Sequence, residues 1–193
     1  PKVTTSVTVP VLWDKKTETI VNNESSQIIR MFNSEFDGLT GNSSDFYPDH
    51  LQDEINNLND WIYHSVNNGV YKCGFATTQE SYDEAVTALF KALDELDQKL
   101  SYSKYLIEDN LTEADLRLIP TLLRFDVAYV THFKRNIKRI IDYKNLSRYV
   151  KDMLAIPAVK SSTNFDHIKR HYYYSHKEIN PFRIVPAGPQ LII

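Results

Sequence analysis

The chain of 193 residues contains one cysteine, Cys73, which excludes an internal disulfide framework and any C-x-x-C redox pair. No apolar run approaches the about 20 residues that a membrane-spanning helix needs, and no charged-then-apolar leader opens the sequence. Charge of one sign is also lacking: 22 basic against 25 acidic residues leave a net charge of −3, with no global pull toward nucleic acid or anionic lipid. Neither an internal repeat nor a low-complexity segment is present. The content of 42% hydrophobic and 24% charged residues is that of a globular chain, long enough for one domain or two small ones with a buried core. Twelve tyrosines stand against five glycines, the balance of an aromatic-rich, helix-biased protein. A soluble, cytoplasmic protein without a nucleic-acid or membrane partner is the expectation.

The first forty residues differ in texture from the rest. Val7–Trp13 is β-branched and apolar and predicts a strand, Asp14-Lys15-Lys16-Thr17 a turn, and Thr19-Ile20-Val21 a second strand of a hairpin. Pro10 within the first strand requires an edge, a bulge or a cis bond. Asn22 to Ser25 offers N-caps for a helix carrying Ile28, Ile29 and Phe32. A hairpin and one helix cannot bury their faces alone. The polar stretch Gly38 to Ser44 is the best domain boundary.

Beyond it the apolar residues have helical period. Pro48 opens a helix bearing Leu51, Ile55, Leu58 and Ile62, which Asn68-Gly69 stops or kinks, and Tyr71 to Phe75 is expected to be a non-periodic connection. Thr77 to Glu80 has capping-box spacing ahead of Tyr82, Val86, Leu89, Leu93, Leu96 and Leu100. Thr112 with Asp115 predicts another helix start, followed by Leu118, Leu122, Phe125 and Tyr129, with Pro120 expected to kink it. A shorter helix holds Leu146, Val150, Met153 and Leu154 and ends before Pro157, and a last one covers about Asn164 to Tyr174. The expected class is mainly α: a β-hairpin and helix, then an all-helical domain.

Several segments together resemble one family. Val9-Pro10-Val11-Leu12-Trp13-Asp14 and Val21-Asn22-Asn23-Glu24-Ser25 resemble the end of the thioredoxin-like domain of glutathione transferases. Asn67-Asn68-Gly69-Val70-Tyr71-Lys72, Leu111-Thr112-Glu113-Ala114-Asp115-Leu116-Arg117 and Asn164-Phe165-Asp166-His167-Ile168-Lys169 with His171-Tyr172 are similar to the glutathionyl-hydroquinone reductases, the Xi class related to the Omega class. The resemblance implies that residues 1–37 are the end of a thioredoxin-like, glutathione-binding domain and residues 45–193 an all-α C-terminal domain with a family-specific tail. It implies glutathione as co-substrate, no metal, and a homodimer. It also implies a cysteine thiolate that attacks the sulfur of a glutathionyl-hydroquinone, the thiolate being the competent nucleophile. The family carries that cysteine in a Cys-Pro-Trp-Ala motif, which these 193 residues do not contain. The expectation is therefore a fragment of a longer enzyme, unable to complete the reaction alone, with a non-catalytic glutathione-transferase-like helical binding module or a generic Omega-type thioltransferase or dehydroascorbate reductase as the alternatives.

Residue by residue, the resemblance assigns Val9 and Pro10, as a cis proline, to the cysteinyl part of glutathione, whose backbone adds like a strand. Glu24 and Ser25 match the pair holding the γ-glutamyl end, where a helix N-terminus suits a carboxylate and Glu24 accepts from the ammonium. The same residues also make a plain N-cap, and the two roles are compatible. Tyr71 and Tyr172 match the tyrosines placed over the hydroquinone, neutral donors to a phenolic oxygen as charge develops on it. Without the family, a tyrosine is ordinarily amphipathic packing, and Tyr172 is chosen over its neighbours Tyr173 and Tyr174 by the motif alone.

Cys73 follows Lys72, a cation able to lower its pKa, but it lacks the family's flanks and is expected to be a buried small hydrophobe. His167 and His171 have the i, i+4 spacing of a zinc pair, yet Ile168 stands where a His-Glu-x-x-His motif needs glutamate. The basic and aromatic run Lys169 to Lys177 could stack bases, an idea that the acidic total charge opposes. Lys134 to Arg139 is a short basic run of the kind that usually forms a solvated face, and the family often has cysteine where Arg135 stands.

Overall fold

The computed structural model describes residues 9–189, which divide into two compact units, one ending at Gln52 and the other beginning at Asp53. In the first unit β1 (Leu12–Asp14) and β2 (Thr19–Asn22) pair antiparallel, with Leu12 opposite Asn22, Trp13 opposite Ile20 and Asp14 opposite Thr19. Val7 and Thr8 of the expected longer strand lie outside the described residues, and Val9 to Val11 are not strand. The hairpin turn is closed by Asp14, whose carboxylate accepts from the Lys16 amide at 2.7 Å and the Thr17 hydroxyl at 2.8 Å. Those bonds hold its pKa below the ordinary value.

Helix α1 (Ser25–Ser34) follows, capped by Glu24, and buries Ile28 while Phe32 stays exposed. A short turn of helix, α2 (Asp37–Thr40), ends at Gly41, whose φ of 70° is left-handed backbone that glycine adopts without a Cβ penalty. The polar stretch from Gly38 to Ser44 thus lies within the first unit. Trp13, Ile20, Val21 and Leu39 remain exposed, as expected of a hairpin and helix too small to cover their own apolar faces.

The second unit is built of helices. Pro48, whose missing N–H costs nothing there, heads a 3-10 turn at Asp49–Leu51 that closes the first unit, and α3 (Gln52–Ile62) leads from it into the second. At Tyr63–Asn67 the helix widens into a π turn and then resumes as α4 (Gly69–Gly74). This corrects the expected connection at Tyr71–Phe75. Asn68-Gly69 does not stop the helix, because Val70 and Cys73, one turn apart, both find places in the core. Helix α5 (Gln79–Lys99) is the central element, with Leu89, Leu93 and Leu96 fully buried. Each such side chain contributes about 1.5–3 kcal/mol of transfer free energy. Its cap is Thr78, accepting from the Ser81 amide at 3.2 Å, one residue later than the Thr77 spacing suggests.

Helix α6 (Glu113–Arg124) runs through Pro120 without a break and widens into a second π turn at Phe125–Tyr129 before α7 (Val130–His132). At its start the Asp115 carboxylate accepts from the Thr112 amide at 2.9 Å, as the spacing predicts. Helix α8 (Lys144–Ala155) has no side-chain cap of its own; Asp97 from α5 accepts from the amides of Asn145 and Leu146, both at 2.8 Å. After α9 (Pro157–Ser162), α10 (Phe165–Ser175) is capped by Asn164 and brings Tyr172 and Tyr173 into the core. No described helix is long and apolar enough to cross a membrane.

Candidate active site

Tyr71 owes its position to three features of its own segment. The Asn67 side chain donates to the Arg117 carbonyl at 3.2 Å and accepts from the Thr121 hydroxyl at 2.9 Å, tying the π turn to α6. Gly69 lies against Leu89, 3.5 Å from where its Cβ would be, and Gly74 lies so close to Phe133 that a Cβ would stand 2.3 Å from the ring. With Val70 and Cys73 facing inward, Tyr71 is left at the edge of the core, 38% exposed.

Its hydroxyl meets that of Tyr172 at 2.8 Å, and Tyr172 in turn meets the buried Tyr129 hydroxyl at 2.7 Å. The two candidate tyrosines, from α4 and α10, are therefore brought together. The third, Tyr129, has by its spacing after Leu118, Leu122 and Phe125 the look of a packing position, and only the π turn with the arrival of α10 makes its hydroxyl part of a chain. Three phenols linked by two hydrogen bonds hold one O–H in reserve, available to an acceptor at the exposed end. Burial raises the pKa of Tyr129 and of Tyr172, so both stay neutral donors. Phe133 lies among the three rings, 5.7 Å from Tyr71, 5.5 Å from Tyr129 and 5.9 Å from Tyr172. These edge and offset contacts fix the rings against one another.

Cys73 is buried, and burial pushes its thiol pKa up; the cation that opposes this is Arg135, not the sequence neighbour Lys72. Such a thiol is a poor nucleophile. Arg135, expected to lie on a solvated face, is fully buried. His132, which no sequence pattern singles out, and His176 approach to 3.0 Å beside this cluster. His132 is pushed down to about 4, first by burial and then by His176. No group of three or more His, Cys, Asp or Glu able to hold a metal occurs among the described residues. The run Lys169 to Lys177 is no open stacking platform, since Tyr172 and Tyr173 face the core.

In the first unit the Val9-Pro10 peptide is cis, as the family resemblance implies, and Val9 is 90% exposed. Glu24 and Ser25 sit exposed at the start of α1. The Glu24 carboxylate accepts from the Ser26 amide at 3.3 Å and the Ser26 hydroxyl at 3.1 Å, while its own amide donates to the Asn22 side chain at 2.7 Å. Glu24 is thus a cap with a second carboxylate face toward solvent, and Ser25 begins the helix whose amide end suits an anion.

Residues 79–152 match the family described as the glutathione S-transferase C-terminal domain, which gives the helical unit its class. Along 98% of its length the chain is 55% identical to the glutathionyl-hydroquinone reductase YqjG of Escherichia coli K12, covering 58% of that protein. The glutathione-bound structure of YqjG superposes with a TM-score of 0.93 over 96% of this chain and 60% of that one, at 56% identity. The glutathione transferase Xi of Phanerochaete chrysosporium gives 0.92 at 55% identity, over 94% of this chain and 60% of that one. Along nearly its whole length the chain is similar to glutathionyl-hydroquinone reductases and Xi-class glutathione transferases. It spans about three fifths of the length of the relatives it matches.

Proposed function

We propose that this chain carries the glutathione-holding and hydroquinone-polarising parts of a glutathionyl-hydroquinone reductase. The observation that bears most weight is the hydroxyl chain Tyr71, Tyr172 and Tyr129, with its open end at Tyr71. In this reading residues 1–37 end a thioredoxin-like domain and residues 45–193 form the helical domain of a cytoplasmic homodimer. Val9 and Pro10 present backbone to the cysteinyl part of glutathione, and Glu24 with Ser25 takes its γ-glutamyl end.

The nucleophile is a cysteine of the whole protein outside these 193 residues. Its thiolate forms a disulfide with the glutathione sulfur as the aryl carbon–sulfur bond breaks. The ring carbon holds a proton in its keto tautomer, so the released electron pair rearomatises the ring and appears as charge on the oxygen. Tyr71 and Tyr172 give up their mutual hydrogen bond and both donate to that oxygen, which then takes up a proton to give the hydroquinone. A second glutathione attacks the enzyme–glutathione disulfide, releases glutathione disulfide and restores the thiolate.

The test is turnover of a glutathionyl-hydroquinone by the full-length protein with glutathione as reductant, beside dehydroascorbate as the substrate of an Omega-type enzyme. Release of hydroquinone and glutathione disulfide in equal amounts supports the reading. Activity confined to dehydroascorbate replaces it with the Omega reading.

A further inference from the structure

Arg135 is the largest fully buried side chain among the described residues, yet none of its three guanidinium nitrogens has a hydrogen-bond partner. A buried cation is ordinarily paired with a carboxylate. The groups that favour the charge here are Cys73 first, then Tyr129 and Tyr71, and none of them is a carboxylate. The thiol of Cys73 is kept protonated by burial and cannot neutralise it. The guanidinium carbon instead lies 5.1 Å from the ring centre of Tyr129 and 4.9 Å from that of Phe133, the phenylalanine among the three tyrosines. Its backbone amide donates to the Tyr129 carbonyl at 3.4 Å, tying the residue to the π turn that aims the Tyr129 hydroxyl.

An unneutralised positive charge against a phenol ring draws electron density from it and makes its hydroxyl a stronger donor. Tyr129 and Tyr172 share a hydrogen bond, and Tyr172 shares another with Tyr71, so with Tyr129 as the donor the effect passes to the exposed end of the chain. We propose that Arg135 is a positioning residue for the phenolic oxygen of the substrate, strengthening donation by the three tyrosine hydroxyls through its buried charge on the Tyr129 ring. It does not itself touch the substrate. Its effect is largest where charge has developed on the oxygen, so it favours the bound phenolate over the bound phenol. This rests on the reading of Tyr71 and Tyr172 as the site for a phenolic oxygen.

The test is binding of 4-nitrophenol to the full-length protein, with its ionisation read from visible absorbance, in the native form and in Arg135→Met, Arg135→Lys and Tyr71→Phe/Tyr172→Phe. The ratio of bound phenolate to bound phenol should fall roughly tenfold in Arg135→Met and be restored in large part by Arg135→Lys, with the neutral phenol bound equally well. Circular dichroism of each variant shows that the helices are intact, and a fold lost in Arg135→Met leaves Arg135→Lys against native as the comparison, where a retained preference supports the charge. An unchanged ratio in Arg135→Met, with the ratio lowered in the double tyrosine variant, overturns the role of Arg135 and leaves the phenol site standing. No binding by the native protein overturns both.

Discussion

Asp115 and Tyr149, 34 residues apart, share a buried hydrogen bond of 3.0 Å in which the tyrosine hydroxyl donates to the carboxylate. The same carboxylate takes the amide of Leu106 at 3.0 Å and that of Thr112 at 2.9 Å, so one side chain joins the start of α6, the loop before it and α8. Burial raises the pKa of Asp115 and the amide bonds oppose the rise. Asp115→Ala strands several buried donors at once. It should cost about 3–5 kcal/mol of stability, and Asp115→Asn less, as measured by urea unfolding. Equal stability of Asp115→Ala and the parent would show that these bonds hold nothing together.

Two glycines of one short helix should respond oppositely to the same substitution. A Cβ on Gly74 would meet the Phe133 ring at 2.3 Å, an aromatic wedged among three tyrosines that has no free end to move. Gly74→Ala should therefore cost about 1–3 kcal/mol. At Gly69 the new methyl would meet Leu89 at 3.5 Å, ordinary contact. Gly69→Ala should be neutral or stabilise by up to about 1 kcal/mol. Thermal melts of the two variants side by side check this, and a Gly74→Ala protein as stable as Gly69→Ala refutes the packing described.

Acid should weaken the helical unit through His132. Its folded pKa is depressed to about 4, mainly by burial, so as the pH falls below the ordinary histidine value the unfolded chain takes up the proton first. Stability from this group is present above about pH 6.5 and lost as the pH falls toward 4. His176 shifts in the same direction, whereas Asp115 and Asp126, raised by burial, work in the opposite one. The comparison must then be with a variant. His132→Asn should show a shallower fall in Tm between pH 6.5 and 4 than the parent, and identical slopes would remove His132 as a source of acid lability.

The helices were legible because their apolar residues recur at three and four: Val86, Leu89, Leu93 and Leu96 mark the buried face of α5 without ambiguity. The starts of α1, α6 and α10 were legible in Glu24, Asp115 and Asn164, whose side chains bond amides two or three residues away. The start of α8 was not, since its anchor is Asp97, 48 residues distant. Tyr71 looked like a loop residue because Asn68-Gly69 and Gly74 bracket it. In the folded chain both glycines serve close packing inside a helix, and the preceding π turn carries the chain past them.

The tyrosine pair was legible only through family resemblance, and no local pattern distinguishes Tyr172 from Tyr173 or Tyr174. Tyr129 and Arg135 were missed for a physical reason. The Tyr129 hydroxyl acquires meaning from Tyr172, 43 residues away, and a basic run gives no sign that its second member, Arg135, is turned inward.

We propose that the Tyr71 and Tyr172 hydroxyls act together on a phenolic oxygen. The most direct measurement is the turnover of a glutathionyl-hydroquinone by the full-length protein in native form and as Tyr71→Phe/Tyr172→Phe, with kcat and KM separated. Loss of donors that act on developing charge should lower kcat about 100-fold, with a smaller change in KM. A double variant with native kcat would contradict the account.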